Sequence, residues 1–403
     1  MNLDEIIYSL KNLKKRKRRS GLTVLSILIG IMAVFALVSF GLGIQNYVDT
    51  LADQAGRDKL FIQAKSIGAP GTDSNFFITK EDIDFVGRIK GVKESSGMYF
   101  KAGETGFKKE KRYNFVIGLD VSKINFLEEA FTVKVIKGRQ LKKGDVDKAV
   151  LGYNYQLDDK LFQKALSLGD KITINGEQFE IVGFYKEVGN PQDDSHVYIT
   201  NAGMERLYPS IKDTFGYAIV QADRGVNPEE LADKIEEKLR KHKGQEEGKE
   251  NFYVQSLTDL LKTFSIVIDV INGVLVLIAL ISLVVASVNI MNTMYTAVLE
   301  RTKEIGIMKS IGAKNSDIFI VFVFESGILG LAGGAIGVVM GYIVAKTGGS
   351  IAASAGYSLL KPIFPWYLTA GCLMFAFLIG SFSGLLPAYR ASKLKPVDAL
   401  RYE

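Results

Sequence analysis

Four stretches of this chain run without a charge for long enough to cross a lipid bilayer, and they restrict the fold more than any other feature. They are Gly21–Ile44 over 24 positions, Val270–Leu299 over 30, Ser326–Ala345 over 20 and Pro362–Tyr389 over 28. About 20 predominantly apolar residues span the hydrocarbon core. A single apolar run satisfies its backbone polar groups there as a helix, so each stretch reads as one transmembrane helix. The first has the basic lead of a signal peptide in Lys11–Arg19 (KNLKKRKRR). Its apolar part is too long for that and no A-x-A-like site closes it, so a retained anchor is expected.

Basic residues set the orientation. Lys11, Lys14, Lys15, Arg16, Lys17, Arg18 and Arg19 precede the first span. Arg301, Lys303, Lys309 and Lys314 lie between the second and third, and Arg390, Lys393, Lys395 and Arg401 follow the fourth. The short loop between spans three and four has only Lys346 and Lys361. A multi-pass protein of the cell membrane is expected, with both termini cytoplasmic and the segment from about Gln45 to Phe264 outside. The cytoplasmic segments contribute about +8, and with Asp269 and Glu325 in or next to the spans they account for the whole net charge of +6. The outer domain is then close to neutral, which argues against nucleic acid as a partner. Membrane lipid is the ordinary partner for basic residues in such places. The single cysteine, Cys372, lies within span four, so no internal disulfide can form. Two scattered histidines, His196 and His242, suggest no metal site.

The fold class that follows is an α-helical membrane protein with four transmembrane helices and a large mixed α/β extracytoplasmic domain between helices 1 and 2. Residues 1–20 are patterned as a cytoplasmic amphipathic helix through Leu3, Ile6, Ile7, Leu10 and Leu13. The spans are expected at 21–44, 265–297, 317–345 and 366–388. A cytoplasmic helix is expected at 298–316, a short external loop at 346–365 and a tail at 389–403. Ile44, Val48, Leu51 and Ala55 continue a 4-3-4 stripe beyond span one, and Leu257, Leu261, Phe264, Ile268 and Ile271 keep one before span two. Each stripe extends its span outward as a stalk. Within 45–264, the run KITINGEQFEIVG (171–183) is a hairpin around Asn175-Gly176. Strand-like Tyr217–Val220, a helix over Pro228–Lys243 and strand-like Phe252–Val254 form a closing strand–helix–strand unit. Thr79–Ile89 is a matching helix near the start, and a hairpin-rich insertion is expected at about 120–205.

Chemistry is sparse. The phosphate-cradling pattern G-x-x-x-x-G-K-[ST] is approached only by GQEEGKE (244–250), with the wrong spacing and glutamate where the hydroxyl belongs. Neither G-x-S-x-G nor H-E-x-x-H occurs. Acidic pairs such as Asp145/Asp147 and Asp193/Asp194 read as ordinary loop residues. Glu325, one to two turns inside span three, reads either as a relay or as an interfacial carboxylate paired with a nearby lysine or arginine, and its shallow depth favours pairing. Asp269 sits near the outer interface. Ser326, Gly330 and Gly334 form one small-residue row on span three, and Gly333, Gly337 and Gly341 another. Such rows let helix backbones approach closely, with a neighbour from this chain or a second copy.

The loop VLERTKEIGIMKSIGAKNSDIF (298–319) has helical rather than turn patterning. Leu299, Ile305, Met308 and Ile311 can share an apolar face among Glu300, Arg301, Lys303, Glu304 and Lys309. Gly312 suits the helix end, and Asn315 or Ser316 can cap the next helix. Such a helix rests on lipid or anchors in the groove of a soluble partner.

The stretch SVNIMNTMYTAVLERTKEIGIMKSIGAKNSDIFIVFVFES (287–326) closely resembles the coupling-helix region of MacB/FtsX-family permeases, the type VII ABC transporters. LKNLKKRKRRSGLTVLSILIGIMAVFALVSFGLG (10–43) is similar to the family's first span. GLLPAYRASKLKPVDALRYE (384–403) is similar to its C-terminal signature, with Pro387, Ala388, Ala391, Pro396, Ala399 and Leu400 in place. The outer domain resembles the family's in kind, as a porter-like α/β unit. The resemblance implies a homodimer, or a heterodimer with a similar permease, bound to ABC ATPase subunits. It assigns ATPase contact to Glu300, Arg301, Glu304, Gly306, Met308 and Gly312, with Ile305 and Ile311 on the same helix. It implies a non-catalytic chain without a cofactor of its own, ATP and Mg being held by the partner ATPase. Work done inside the cell would move the outer domain, either to export a peptide, antibiotic or lipoprotein with an adaptor, or to activate a cell-wall hydrolase.

Overall fold

The computed structural model describes residues 17–65, 77–358 and 360–400. The amphipathic helix expected at 1–20 lies outside them apart from Lys17–Ser20, as does the end of the tail. The chain forms two compact units. One comprises residues 1–45, 267–351 and 360–403, the other residues 46–266 and 352–359.

In chain order, α1 (Lys17–Ala55) leads to β1 (Lys59–Ala64), β2 (Ile78–Thr79), α2 (Lys80–Gly87), β3 (Val92–Phe107) and β4 (Glu110–Leu119). Next come α3 (Ile124–Ala130), β5 (Val135–Gly138), β6 (Lys148–Leu151), β7 (Lys171–Ile174), β8 (Glu177–Tyr185) and β9 (Val197–Thr200). They are followed by α4 (Asn201–Leu207), β10 (Thr214–Phe215), β11 (Tyr217–Ala222), α5 (Pro228–His242) and β12 (Phe252–Ser256). The chain continues through α6 (Leu257–Glu300), α7 (Thr302–Ser310), α8 (Asn315–Ser354), α9 (Trp366–Ser392) and α10 (Pro396–Leu400).

The α/β unit is built on a ten-stranded sheet among the described residues, ordered β12-β1-β11-β3-β4-β9-β6-β8-β5, with β7 pairing β3 and β8. Strand alternation divides its core into two faces. Leu60, Ile62, Ala218 and Val220 point to one face and Phe61 and Ile219 to the other. The first face is covered by α2 and α5. Helix α5 begins with Pro228 at its first turn, is capped by Asn227 and ends in Arg240, Lys241 and His242, in keeping with the helix dipole. It buries Leu231, Ile235 and Leu239, each contributing roughly 1.5–3 kcal/mol. Thr79 and Asp82 close a capping box on α2.

The hairpin at Asn175-Gly176 forms, with φ of +48° and +87° at its two turn residues. The insertion expected at about 120–205 is not set apart as a hairpin-rich layer. Its β9 pairs parallel to β4, and β6 pairs parallel to β8, so these strands prolong the main sheet. Strand β4 pairs with β3 along one edge, and β9 satisfies the backbone groups of its other edge.

Among the described residues, four helices are long and apolar enough to cross a membrane. The spans expected at 21–44, 265–297, 317–345 and 366–388 fall within α1, α6, α8 and α9. Three of these helices exceed their apolar runs. Helix α6, with 44 residues, is roughly 66 Å long at 1.5 Å per residue, about twice the hydrocarbon thickness. The loop expected from residue 346 is displaced, because α8 continues to Ser354. Likewise 298–316 is not one helix: α6 ends at Glu300, α7 is a separate short helix, and α8 starts at Asn315.

Within the membrane unit, the two small-residue rows of α8 each receive one neighbour from this chain. A Cβ on Gly337 would lie 2.9 Å from Leu28 O and 3.0 Å from Ile31 Cβ, and Gly333 and Gly341 meet Ile27 and Phe35 of α1 in the same way. On the other row, Ser326, Gly330 and Gly334 face Gly380, Gly384 and Ala376 of α9. A Cβ on Gly330 would lie 3.0 Å from Gly380 Cα, so these backbones touch. Asn289 of α6 donates to Ser26 Oγ of α1 across 3.1 Å, a polar tie between two otherwise apolar helices.

Candidate functional site

The site begins where α6 breaks. Arg301 leaves helical geometry at φ −108°, ψ 13° and restarts the chain as α7. Nine residues later α7 stops in a Schellman motif. Ala313 N–H donates to Met308 O and Gly312 N–H to Lys309 O, with Gly312 at φ +107°. That backbone region favours glycine, so Gly312 fixes the exit of the loop.

Three features hold α7 against the membrane unit. At its start, the Arg301 guanidinium donates to Glu325 Oε2 at 2.8 Å and Glu304 Oε2 at 3.0 Å, and lies 5.1 Å from the Phe322 ring centre. In its middle, Ile305 is fully buried and Met308 packs on the same cluster as Ile290, Met294, Ile318 and Phe322. At its end, Lys309 Nζ donates to Ser392 O at 2.6 Å and Leu394 O at 2.8 Å. Ser392 ends α9, where unpaired carbonyls carry partial negative charge. The short α10 beyond it buries Ala399.

The eight residues expected to couple to an ATPase separate by exposure. Glu300, Glu304, Ile311 and Gly312 are exposed, Met308 is half-buried, and Arg301, Ile305 and Gly306 are buried. The expected shared apolar face does not form. Leu299 belongs to α6 and is exposed, Ile305 and Met308 turn inward, and Ile311 turns outward at 80% exposure. The physical reason is the break at Arg301, which resets the helical phase between Leu299 and Ile305. Nor do Asn315 and Ser316 cap α8. Lys314 precedes it, and the Asp317 carboxylate accepts from Lys314 N–H at 3.0 Å.

The exposed face of α7 carries Lys303 and one residue that the sequence reading passed over, Ile307, 51% exposed. Ile307 and Ile311 are four apart, so they are neighbours on the helix surface. That spacing to Ile311 was the available signal for Ile307. An apolar pair framed by Lys303 and Glu304 suits the groove of a soluble protein. Among the described residues, no group of three or more His, Cys, Asp or Glu side chains could hold a metal ion.

Two family models match the chain, the MacB-like periplasmic core domain over residues 20–238 and the FtsX-like permease C-terminal domain over residues 276–396. The ABC transporter permease MJ1507 of Methanocaldococcus jannaschii is 34% identical over 405 residues, covering 100% of this chain and 99% of that protein. The ABC transporter permease YknZ of Bacillus subtilis is 28% identical, again over 100% and 99%. The macrolide export ATP-binding/permease protein MacB of Bdellovibrio bacteriovorus is 27% identical over all of this chain, which spans 62% of that longer protein. Among solved structures, the periplasmic region of MacB from Actinobacillus actinomycetemcomitans aligns with 51% of this chain and 92% of its own, at 13% identity and a TM-score of 0.41.

Proposed function

The chain belongs to the MacB/FtsX-type ABC transporter permeases, and on that premise we propose that it is a non-catalytic subunit coupling a separate cytoplasmic ABC ATPase to movement of an extracytoplasmic domain. The observation that carries this reading is α7. It is fixed by Arg301, Ile305 and Lys309 while Ile307 and Ile311 face outward. A helix seated this way transmits a push from a bound partner to α6 and α8 instead of absorbing it.

In this proposal both termini and α7 are cytoplasmic, as the distribution of basic residues supports. ATP binding on the partner draws together the inner ends of two permease copies. The continuous helices α1 and α6 carry that displacement beyond the bilayer. Export of a peptide, antibiotic or lipoprotein is the favoured outcome, supported by the macrolide exporters among the relatives.

Affinity purification of the full-length protein from native membranes, with mass spectrometry of what accompanies it, tests the proposal. An ABC ATPase with an adaptor or cargo is the expected result. A cell-wall hydrolase in place of cargo would replace export with signalling. Recovery without any ATPase, under conditions that preserve known permease–ATPase complexes, would overturn the reading of α7.

A further inference from the structure

The face of the sheet opposite α2 and α5 holds a cavity of about 360 Å³. Ligand sites usually run from about 300 to 1,000 Å³, so this one suits a small molecule. Met98, Phe100, Ile117, Tyr198 and Tyr217 of the sheet line it, together with Phe131 after α3 and Asp193 before β9. Its lining therefore offers aromatic faces and a carboxylate, and includes no lysine or arginine.

His196 also lines the cavity and is only 6% exposed. Its ring stands edge-on to Phe100 and Phe115, with interplanar angles of 87° and 84°. Nδ1 lies 3.9 Å from Asp193 Oδ1. Nε2 is buried with no hydrogen-bond partner among the described residues. Burial lowers the imidazole pKa to about 4, so the ring is neutral at physiological pH. A neutral imidazole has one protonated nitrogen and one lone pair, and in the tautomer protonated at Nδ1 it is Nε2 that accepts from a donor. A buried polar atom without a partner costs free energy that a bound donor would recover.

We propose that this cavity binds a small apolar molecule carrying one protonated amine, with the ammonium held at Asp193 and the apolar body against Phe100, Tyr198 and Tyr217. Aromatic faces attract cations through their quadrupole, and the carboxylate adds a full opposite charge. An anion would meet the same faces and the same carboxylate as repulsion. This site stands independently of the role of α7, since it lies entirely within the α/β unit.

Three probes of similar size test the proposal on the full-length protein in zwitterionic phosphatidylcholine nanodiscs, with empty nanodiscs subtracted: tryptamine, uncharged tryptophol and anionic indole-3-acetate. Calorimetric titration is expected to give tryptamine at least a tenfold tighter Kd than tryptophol, and no saturable binding of indole-3-acetate. Asp193→Asn should erase the tenfold advantage while tryptophol still binds, and Asp193→Glu should restore it. The Asp193 side chain is 46% exposed, so neither variant disturbs a packed core. Equal binding of the three probes, no binding of any, or an advantage that survives Asp193→Asn would overturn the proposal.

Discussion

The guanidinium of Arg301 donates to the carboxylate of Glu325 across 2.8 Å, and only 6% of each side chain reaches solvent. A buried pair of this kind adds little net stability, but removing one partner leaves the other's buried charge less compensated. Arg301→Ala should therefore destabilise the protein by about 3–5 kcal/mol. Glu304, with 52% of its side chain exposed, can return to water, whereas Glu325 cannot. The double variant Arg301→Met/Glu325→Leu should recover most of the loss. Thermal unfolding in nanodiscs checks this, and a double variant as unstable as Arg301→Ala would contradict it.

Ile307 and Ile311 are exposed on α7 and support no packing of their own. Ile307→Asp and Ile311→Asp should each leave stability within about 0.5 kcal/mol of the parent, as surface substitutions usually do. Both should abolish co-purification of the ATPase. Met308→Asp is a poorer test, because Met308 packs against the helix cluster. Normal ATPase recovery with both isoleucine variants would show that this face meets only lipid.

Much of the fold was legible because membrane spans announce themselves by composition, and because α5 and the Asn175-Gly176 hairpin carry local signals. Strand β3 was not. Its sixteen residues include Gly97, Gly103 and Gly106 and few apolar alternations. Those glycines answer to neighbours distant in sequence: a Cβ on Gly97 would lie 2.7 Å from Phe215 Cγ. The site divides along the same line. That residues near 300–312 formed a helix was readable from their spacing. That Arg301 faces inward was not, because its partner Glu325 lies 24 positions away on another helix. Glu325 alone left two readings open, and the fold brings Arg301 to it.

Helix α8 meets α9 where Gly330 and Gly380 face each other, and a Cβ on Gly330 would lie 3.0 Å from Gly380 Cα. Gly330→Leu should force these helices apart at a cost of at least about 1–3 kcal/mol, the usual range for overpacking. Gly371 on α9 has nothing within 4 Å of an added Cβ, so Gly371→Ala is a matched control and should be neutral. Comparing the two melting temperatures in one membrane mimetic checks the prediction. Equal values would show that α8 and α9 are not tightly packed at Gly330.

His196 and Asp193 give the α/β unit opposing responses to acid. Burial lowers the His196 pKa from 6.5 to about 4, so the unfolded chain binds the proton more readily. Its contribution is intact above pH 6.5 and is lost as pH falls toward 4, to a total of about 3 kcal/mol. Burial and the neighbouring Asp194 raise the Asp193 pKa from 3.8 to about 6. Its protonated form favours the fold, so that contribution is lost as pH rises from 3.8 toward 6, and solvent exposure weakens it. His196→Asn should therefore flatten the loss of stability between pH 6.5 and 4, whereas Asp193→Asn should steepen it. Unfolding of each full-length variant across this range, referenced to the parent at each pH, reads both signs. Parallel curves for parent and His196→Asn would mean that the imidazole is already solvated in the folded state.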